Sequence, residues 1–316
     1  MSDFQYTRLG QAQLSGETEK LFRDQFIPEL LEQFDAKRVI KPLVRNKTIT
    51  KGKSASFPVF GKVGAKYFAV GDRAVGNQKL AKNEVTIFID PLLVSDVVIH
   101  EIDEKMSETD DRQVIAKEMG RALANTEDKQ LLQVGVLAAR ANANIVDGNS
   151  GSVITVANMD TDAAVLAASI FDAGVKLDEK NIPEDGRYCF VRPLQYALLA
   201  QYENIADKNI GGGSYEEGTT GKLNDIKIIK TNHLPKTNIE EITEGAKPNN
   251  PYFGDFSKTT ALVMTGDAIG TVSLRGLITE LSWNPELFHH LLTARVAQGH
   301  GILRPECAVE ISAASA

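Results

Sequence analysis

A catalytic or metal site in this chain would have to be built from five histidines and two cysteines: His100, His233, His289, His290, His300, Cys189 and Cys307. No two histidines stand at i, i+4, the spacing by which one helix face offers two imidazoles to zinc. His289 and His290 are adjacent, so on a helix or a strand they point apart. His300 lies between Gly299 and Gly301 and is the most site-like of the five. No nucleophile or acid accompanies it in sequence, and a structural role is the plainer reading. Cys-x-x-Cys is absent, and two cysteines make no disulfide framework, so reduced thiols are expected.

Carboxylates and glycines give no stronger signal. Asp110-Asp111 and Glu240-Glu241 face apart on regular elements and read as helix-end charge and a solvated loop. The glycine-rich stretch 211–221 fails as a phosphate cradle. Gly221-Lys222 needs glycine at 216 and a hydroxyl residue at 223, where Glu216 and Leu223 stand. Gly148-Asn149-Ser150-Gly151 lacks the spacing of a nucleophile elbow. The expectation is therefore no catalytic residue, no cofactor and no metal: not an enzyme.

The 316 residues carry 35 Lys+Arg against 42 Asp+Glu, a net charge of -7. That excludes a generally basic nucleic-acid coat. The apolar runs fall far short of the roughly 20 residues of a membrane span, and the N-terminus lacks signal-peptide order. A soluble, intracellular chain of about two domains is expected.

Residues 1–47 read as an arm with a helical piece. Leu21, Phe22, Phe26, Leu30, Leu31 and Phe34 recur near helical spacing, and Pro28 interrupts them. Residues 48–90 read as a long β-hairpin whose second limb alternates Val85, Ile87 and Ile89 with Thr86, Phe88 and Asp90. Its glycine-bearing connection is too long for an ordinary turn. Residues 91–103 read as a strand. A helix then runs from about 110 toward Ala143, roughly 50 Å at 1.5 Å per residue, with Ser107 or Thr109 as its cap. Residues 151–274 alternate strands and helices in an α/β or α+β manner. In the helix after Asp160 and Thr161, either of which could cap it, Val165, Ala168, Ile170, Phe171 and Val175 are expected to face a core. Residues 275–316 return to strands, with Gln298-Gly299-His300-Gly301 as the turn between the last two.

Charge is sorted along the chain. Residues 51–82 sum to +6, and residues 101–130 sum to -4. A basic loop and an acidic stretch in one chain can pair between identical copies, where complementarity supplies steering and register. The plainer alternative is two separately solvated faces.

In this order, arm, basic hairpin, long helix, α/β insertion and closing strands resemble the Hong Kong 97 capsid fold of tailed double-stranded-DNA phages. Local strings sharpen the likeness. ITKGKSASFPVFGKVGAKYFAVGD (49–72) resembles the extended-loop entry of T-seven-like podophage major capsid proteins. Residues 89–132, beginning IDPLLVSDVVIHEIDEKMSETDD, are similar to their lead into the spine helix. AIGTVSLRGL (268–277) and AQGHGILRPECAVEI (297–311) are similar to their closing segment.

The resemblance implies an α+β shell protein. Its parts are an arm (1–47), an extended loop (48–90), a peripheral domain with spine helix (91–150), an axial domain (151–274) and a peripheral closing segment (275–316). It implies self-assembly into hexamers and pentamers, with a scaffolding protein and portal as partners. It further implies packaged double-stranded DNA held without sequence-specific binding, no membrane, and residence in the virion after assembly in host cytoplasm. On this reading Lys53, Lys62, Lys66 and Arg73 face Glu101, Asp103, Glu104 and Glu108 of a neighbour, and Phe22, Phe26 and Phe34 are buried on one. An encapsulin-type cargo shell and a soluble α/β enzyme are the alternatives.

Overall fold

Helix α1, Asp111–Arg140, has 30 residues and is about 45 Å long. It stops three residues short of the expected Ala143. Beyond it the chain turns back, and the Gly151 N–H donates to the Ala141 carbonyl at 3.0 Å. The computed structural model describes residues 38–65, 67, 71, 80–100, 111–146, 148–201, 222–240, 251–285 and 288–313.

The chain divides into two compact units. Among the described residues, the smaller takes Leu93–Ala124 and Leu277–Val296; the larger takes Arg38–Leu92, Asn125–Gly276 and Ala297–Ala316. α1 passes from the first to the second after Ala124. Strands β12 (Ile269–Asn284) and β13 (His289–Ile302) also belong to both. β12 runs without a break across residues 274 and 275.

In the smaller unit, β4 (Leu93–His100) pairs antiparallel with the first half of β13, from His100↔His289 to Val296↔Leu93. Exposure alternates along β4 residue by residue, as its sequence requires. Leu93, Val97 and Ile99 turn toward a cluster formed by Ala116, Met119 and Leu123 of α1 with Leu292, Ala294 and Val296. His289 meets His100 edge-on, while the His290 ring lies tilted against Trp283, 4.7 Å between centroids. The neighbours do point apart.

The larger unit is built on a six-stranded sheet of order β5-β14-β11-β6-β8-β7. These strands are β5 (Ser152–Val156), β6 (Arg187–Val191), β7 (Lys222–Leu223), β8 (Ile226–Lys230), β11 (Thr259–Thr265) and β14 (Ala308–Ala313). Every residue of β11 is buried, so both faces of the sheet are covered there. The coverings include the second half of α1, α2 (Ala163–Glu179) and α3 (Pro193–Gln201). The short pairs β9 (Asn238–Ile239) and β10 (Gly254–Asp255) lie apart from this sheet. β7 and β8 are joined by Asn224 and Asp225, both in the left-handed conformation that a two-residue hairpin demands.

Three expectations are corrected here. α2 is capped by Asp162, whose carboxylate accepts the Ala164 N–H at 2.9 Å, while Asp160 accepts from Gln195 and Thr260. The buried stripe of α2 is Leu166, Ala167, Ile170, Ala173, Gly174 and Leu177; Ala168, Phe171 and Val175 face outward. An apolar stripe on each side of one helix leaves the periodicity ambiguous by about half a turn. Finally, 298–301 is not a turn but lies within β13. Its glycines serve a close approach. A Cβ at Gly299 would sit 2.0 Å from the Phe88 carbonyl oxygen, and one at Gly301 would sit 2.7 Å from Ile87 Cγ1.

Candidate assembly surfaces

The hairpin comes first. β2 (Ser54–Phe60) and β3 (Lys82–Phe88) pair antiparallel from Ser54↔Phe88 to Phe60↔Lys82. Two-residue alternation divides its side chains. Ala55, Phe57, Val85 and Ile87 face Ile49, Ile89, Val272 and Leu303 of the same chain. Phe60 and Phe88 face away, 56% and 67% exposed. The expected alternation of Val85, Ile87 and Ile89 thus packs the hairpin strands onto their own subunit. At the far end the Gly61 N–H donates to the Ala81 carbonyl at 2.8 Å, and the Asn83 amide donates to the Asn144 carbonyl.

The hairpin root and the root of the arm share one buried polar network. Ile89 N–H donates to the Lys53 carbonyl and Asp90 N–H to the Gln298 carbonyl. The Tyr252 hydroxyl donates to Asp90 Oδ2 at 2.5 Å and accepts the His300 backbone N–H at 2.8 Å. Gln298 turns its side chain the other way and accepts from Lys41 Nζ at 2.9 Å. Lys41 and Arg38 both close on Glu127, at 2.7 and 2.8 Å. The adjoining carboxylate, Asp128, accepts the backbone N–H groups of Val39 and Ile40 at 3.1 and 3.3 Å. These donors open the 3₁₀ turn Lys41–Leu43, which leads into β1 (Arg45–Thr48). β1 then pairs parallel with Gly270–Ser273 of β12.

Burial sets the protonation of this network. It pushes Asp90 up to about 6 despite the Tyr252 hydrogen bond. It pushes Asp128 up to about 6 against the two backbone donors. His300 is driven down to about 3, first by burial and then by Lys41 and Arg38, and stays neutral. Its Nδ1 lies 3.0 Å from the Thr271 hydroxyl. His300 is therefore a core residue, as its lack of a sequence partner implied. Asp90, Tyr252, Glu127 and Asp128 escaped notice in the sequence. One signal was available: Glu127 stands on the i, i+4 line between Leu123 and Leu131, both buried.

The electrostatic expectation changes accordingly. Glu127 and Asp128 counted toward the acidic stretch, yet both are fully buried and held by their own chain. Lys53 and Lys62 are exposed, and neither side chain forms an ion pair among the described residues. Lys66, Arg73, Glu101, Asp103, Glu104, Glu108, Phe22, Phe26 and Phe34 lie outside the described residues. So do the helix caps expected at Ser107 and Thr109 and the loop 211–221. Among the described residues no group of three His, Cys, Asp or Glu could hold a metal, and no helix is long and apolar enough to cross a membrane.

A family model described as "Gp10A-like: Major capsid protein" matches residues 56–312. The chain belongs to this capsid family. It is 29% identical to the major capsid protein of Escherichia phage T7, covering 93% of this chain and 92% of that one. To the major capsid protein of Enterobacteria phage T3 it is 27% identical, over 96% and 94%. The capsid structure of the Cyanophage P-SCSP1u aligns over 100% of both chains with a TM-score of 0.79 and 32% identity. A virus-like particle from Pyrococcus furiosus, at 14% identity and a TM-score of 0.59, shares the fold alone. The Gp10A-like chain is thus a structural protein with the Hong Kong 97 fold, the major capsid protein of a T7-like phage. It self-assembles into the head shell and resides in the virion capsid. The matches favour neither a cargo compartment nor a soluble enzyme.

Proposed function

We propose that the arm and the extended loop are the parts by which one subunit grips the next in hexamers and pentamers. The supporting observation is a hairpin fixed to its own subunit on one face while it offers Phe60, Phe88, Lys53 and Lys62 on the outside. The basic loop residues Lys53, Lys62, Lys66 and Arg73 meet Glu101, Asp103, Glu104 and Glu108 of a neighbour. Phe22, Phe26 and Phe34 of the arm are buried on another copy. Each exposed ion pair contributes about 0–1 kcal/mol. Many such contacts let misplaced subunits leave before a shell closes. Residues 151–274 form the axial subdomain, and 91–150 with 275–316 the peripheral one.

Assembly takes place in host cytoplasm around a scaffolding protein and a portal. The shell encloses double-stranded DNA without sequence-specific contacts, because with its basic loops engaged the remaining wall is acidic and repels phosphate.

Reversal of Lys62, Lys66 and Arg73 to glutamate tests the pairing. The triple variant is expected to give folded, soluble subunits and no closed shells by electron microscopy. Normal shells from it would remove the charge-pairing claim.

A further inference from the structure

The ladder between β4 and β13 sets two histidines side by side. His100, the last residue of β4, is the register partner of His289, the first residue of β13. Direct partners in a ladder project from the same face of the sheet. The two rings meet edge-on, with 5.8 Å between centroids and 77° between planes. His290 projects from the opposite face, against Trp283. The pair therefore stands on the face turned away from α1, which it shares with the exposed Val94 and Val98. A search for histidines spaced along one helix or strand passes over such a pair, because its members are 189 residues apart and meet only through the ladder.

The two members differ in their surroundings. His289 is only 7% exposed, and its Nδ1 has no hydrogen-bond partner among the described residues. A buried ring nitrogen left in that way is costly, and native structures ordinarily give it a partner. His100 does not supply one, although it is the ring in contact. His100 itself is exposed, so the pair is reached from solvent on that side.

The geometry suits one ion between two imidazoles. With Zn–N bonds of about 2.1 Å and a tetrahedral angle of about 109°, two such rings have centres roughly 5 Å apart. The observed separation is within a small side-chain adjustment of that value. Neutral imidazole is a ligand for zinc, nickel and copper, whereas magnesium and calcium take oxygen. We infer that His100 and His289 form a two-histidine site for a divalent transition ion of the zinc class. Two protein donors leave the remaining positions to solvent, so the ion is exchangeable. The consequence is structural: β4 is the edge strand of its sheet, and the ion ties its end to β13. An ion that binds the folded pair and not the unfolded chain stabilises the fold by mass action.

The test is calorimetric titration of zinc chloride into unassembled full-length subunits at about pH 7.5, where both imidazoles are available as neutral ligands. One zinc per chain is expected, with no comparable binding of magnesium. His100→Ala removes an exposed side chain and is the decisive variant. It is expected to weaken zinc binding at least tenfold, and His289→Ala to do the same where it folds. His290→Ala and His233→Ala are expected to bind as the wild type does. Zinc should also raise the thermal midpoint of the wild type and leave that of His100→Ala unmoved. At about pH 5.5 wild-type binding should weaken, because the imidazoles take up protons. Absence of zinc binding by the wild type, or equal binding by His100→Ala, overturns the inference.

Discussion

Glu310 has no exposure to solvent, yet its carboxylate is fully engaged. Arg140 reaches it with Nε at 2.5 Å and a terminal nitrogen at 2.6 Å, and the Thr259 hydroxyl donates at 2.6 Å. The hydrogen bond to Glu310 raises the Arg140 pKa. The arginine ends α1, and its charge suits the helix C-terminus. A buried pair stabilises little against an apolar replacement, but removal of one partner strands the other charge. Arg140→Ala is expected to lower unfolding free energy by about 3 kcal/mol, read as a lower urea midpoint at unchanged m-value. A loss below about 0.5 kcal/mol, the range of ordinary surface changes, would show that Glu310 finds water instead.

Elements were legible in the sequence where burial falls on one side. β4 alternates because one face meets α1 and the other meets solvent, and the hairpin limb 85–90 alternates for a like reason. Legibility failed where contact comes from distant parts of the chain. The glycines of 298–301 looked like a turn, because the strand pressing on them, β3, is more than two hundred residues earlier. α2 was misread because Phe171 and Val175 are apolar yet exposed, at 46 and 51%. Of the expected assembly residues, Lys53 and Lys62 are exposed, while the acidic stretch hid two buried carboxylates. Sequence charge does not distinguish an acid facing solvent from one clamped by Lys41 and Arg38. At this scale Gly299→Ala is the decisive substitution. Its Cβ must displace a backbone oxygen of β3, so a loss of about 2 kcal/mol or more is expected. Gly276→Ala meets nothing within 4 Å, and its urea midpoint should stay unchanged.

For the whole molecule, the polar network makes stability a function of pH with opposing signs. Unfolded aspartate titrates near 3.9 and histidine near 6.5. Between about pH 4 and 6 folded Asp90 and Asp128 hold protons that the unfolded chain has released, so these groups favour the fold as pH falls. Over about pH 3 to 6.5 the unfolded imidazole holds a proton that folded His300 lacks, so His300 disfavours the fold as pH falls. Asp90→Asn removes one of the two favourable contributions. The thermal midpoint of this variant minus that of the wild-type subunit is expected to decrease steadily from pH 7 to pH 4.5. A constant difference would mean that Asp90 titrates alike in both states.

β14 lies between β5 and β11 and pairs with both, although it begins only at Ala308, whereas β5 begins at Ser152 and β11 at Thr259. A ribosome must therefore release Ala308–Ala313 before the middle of the sheet can close. Chains terminated early keep β5 and β11 apart and expose the edges that β14 covers. The position of one late strand thus ties closure of the sheet to synthesis of residues 308–313.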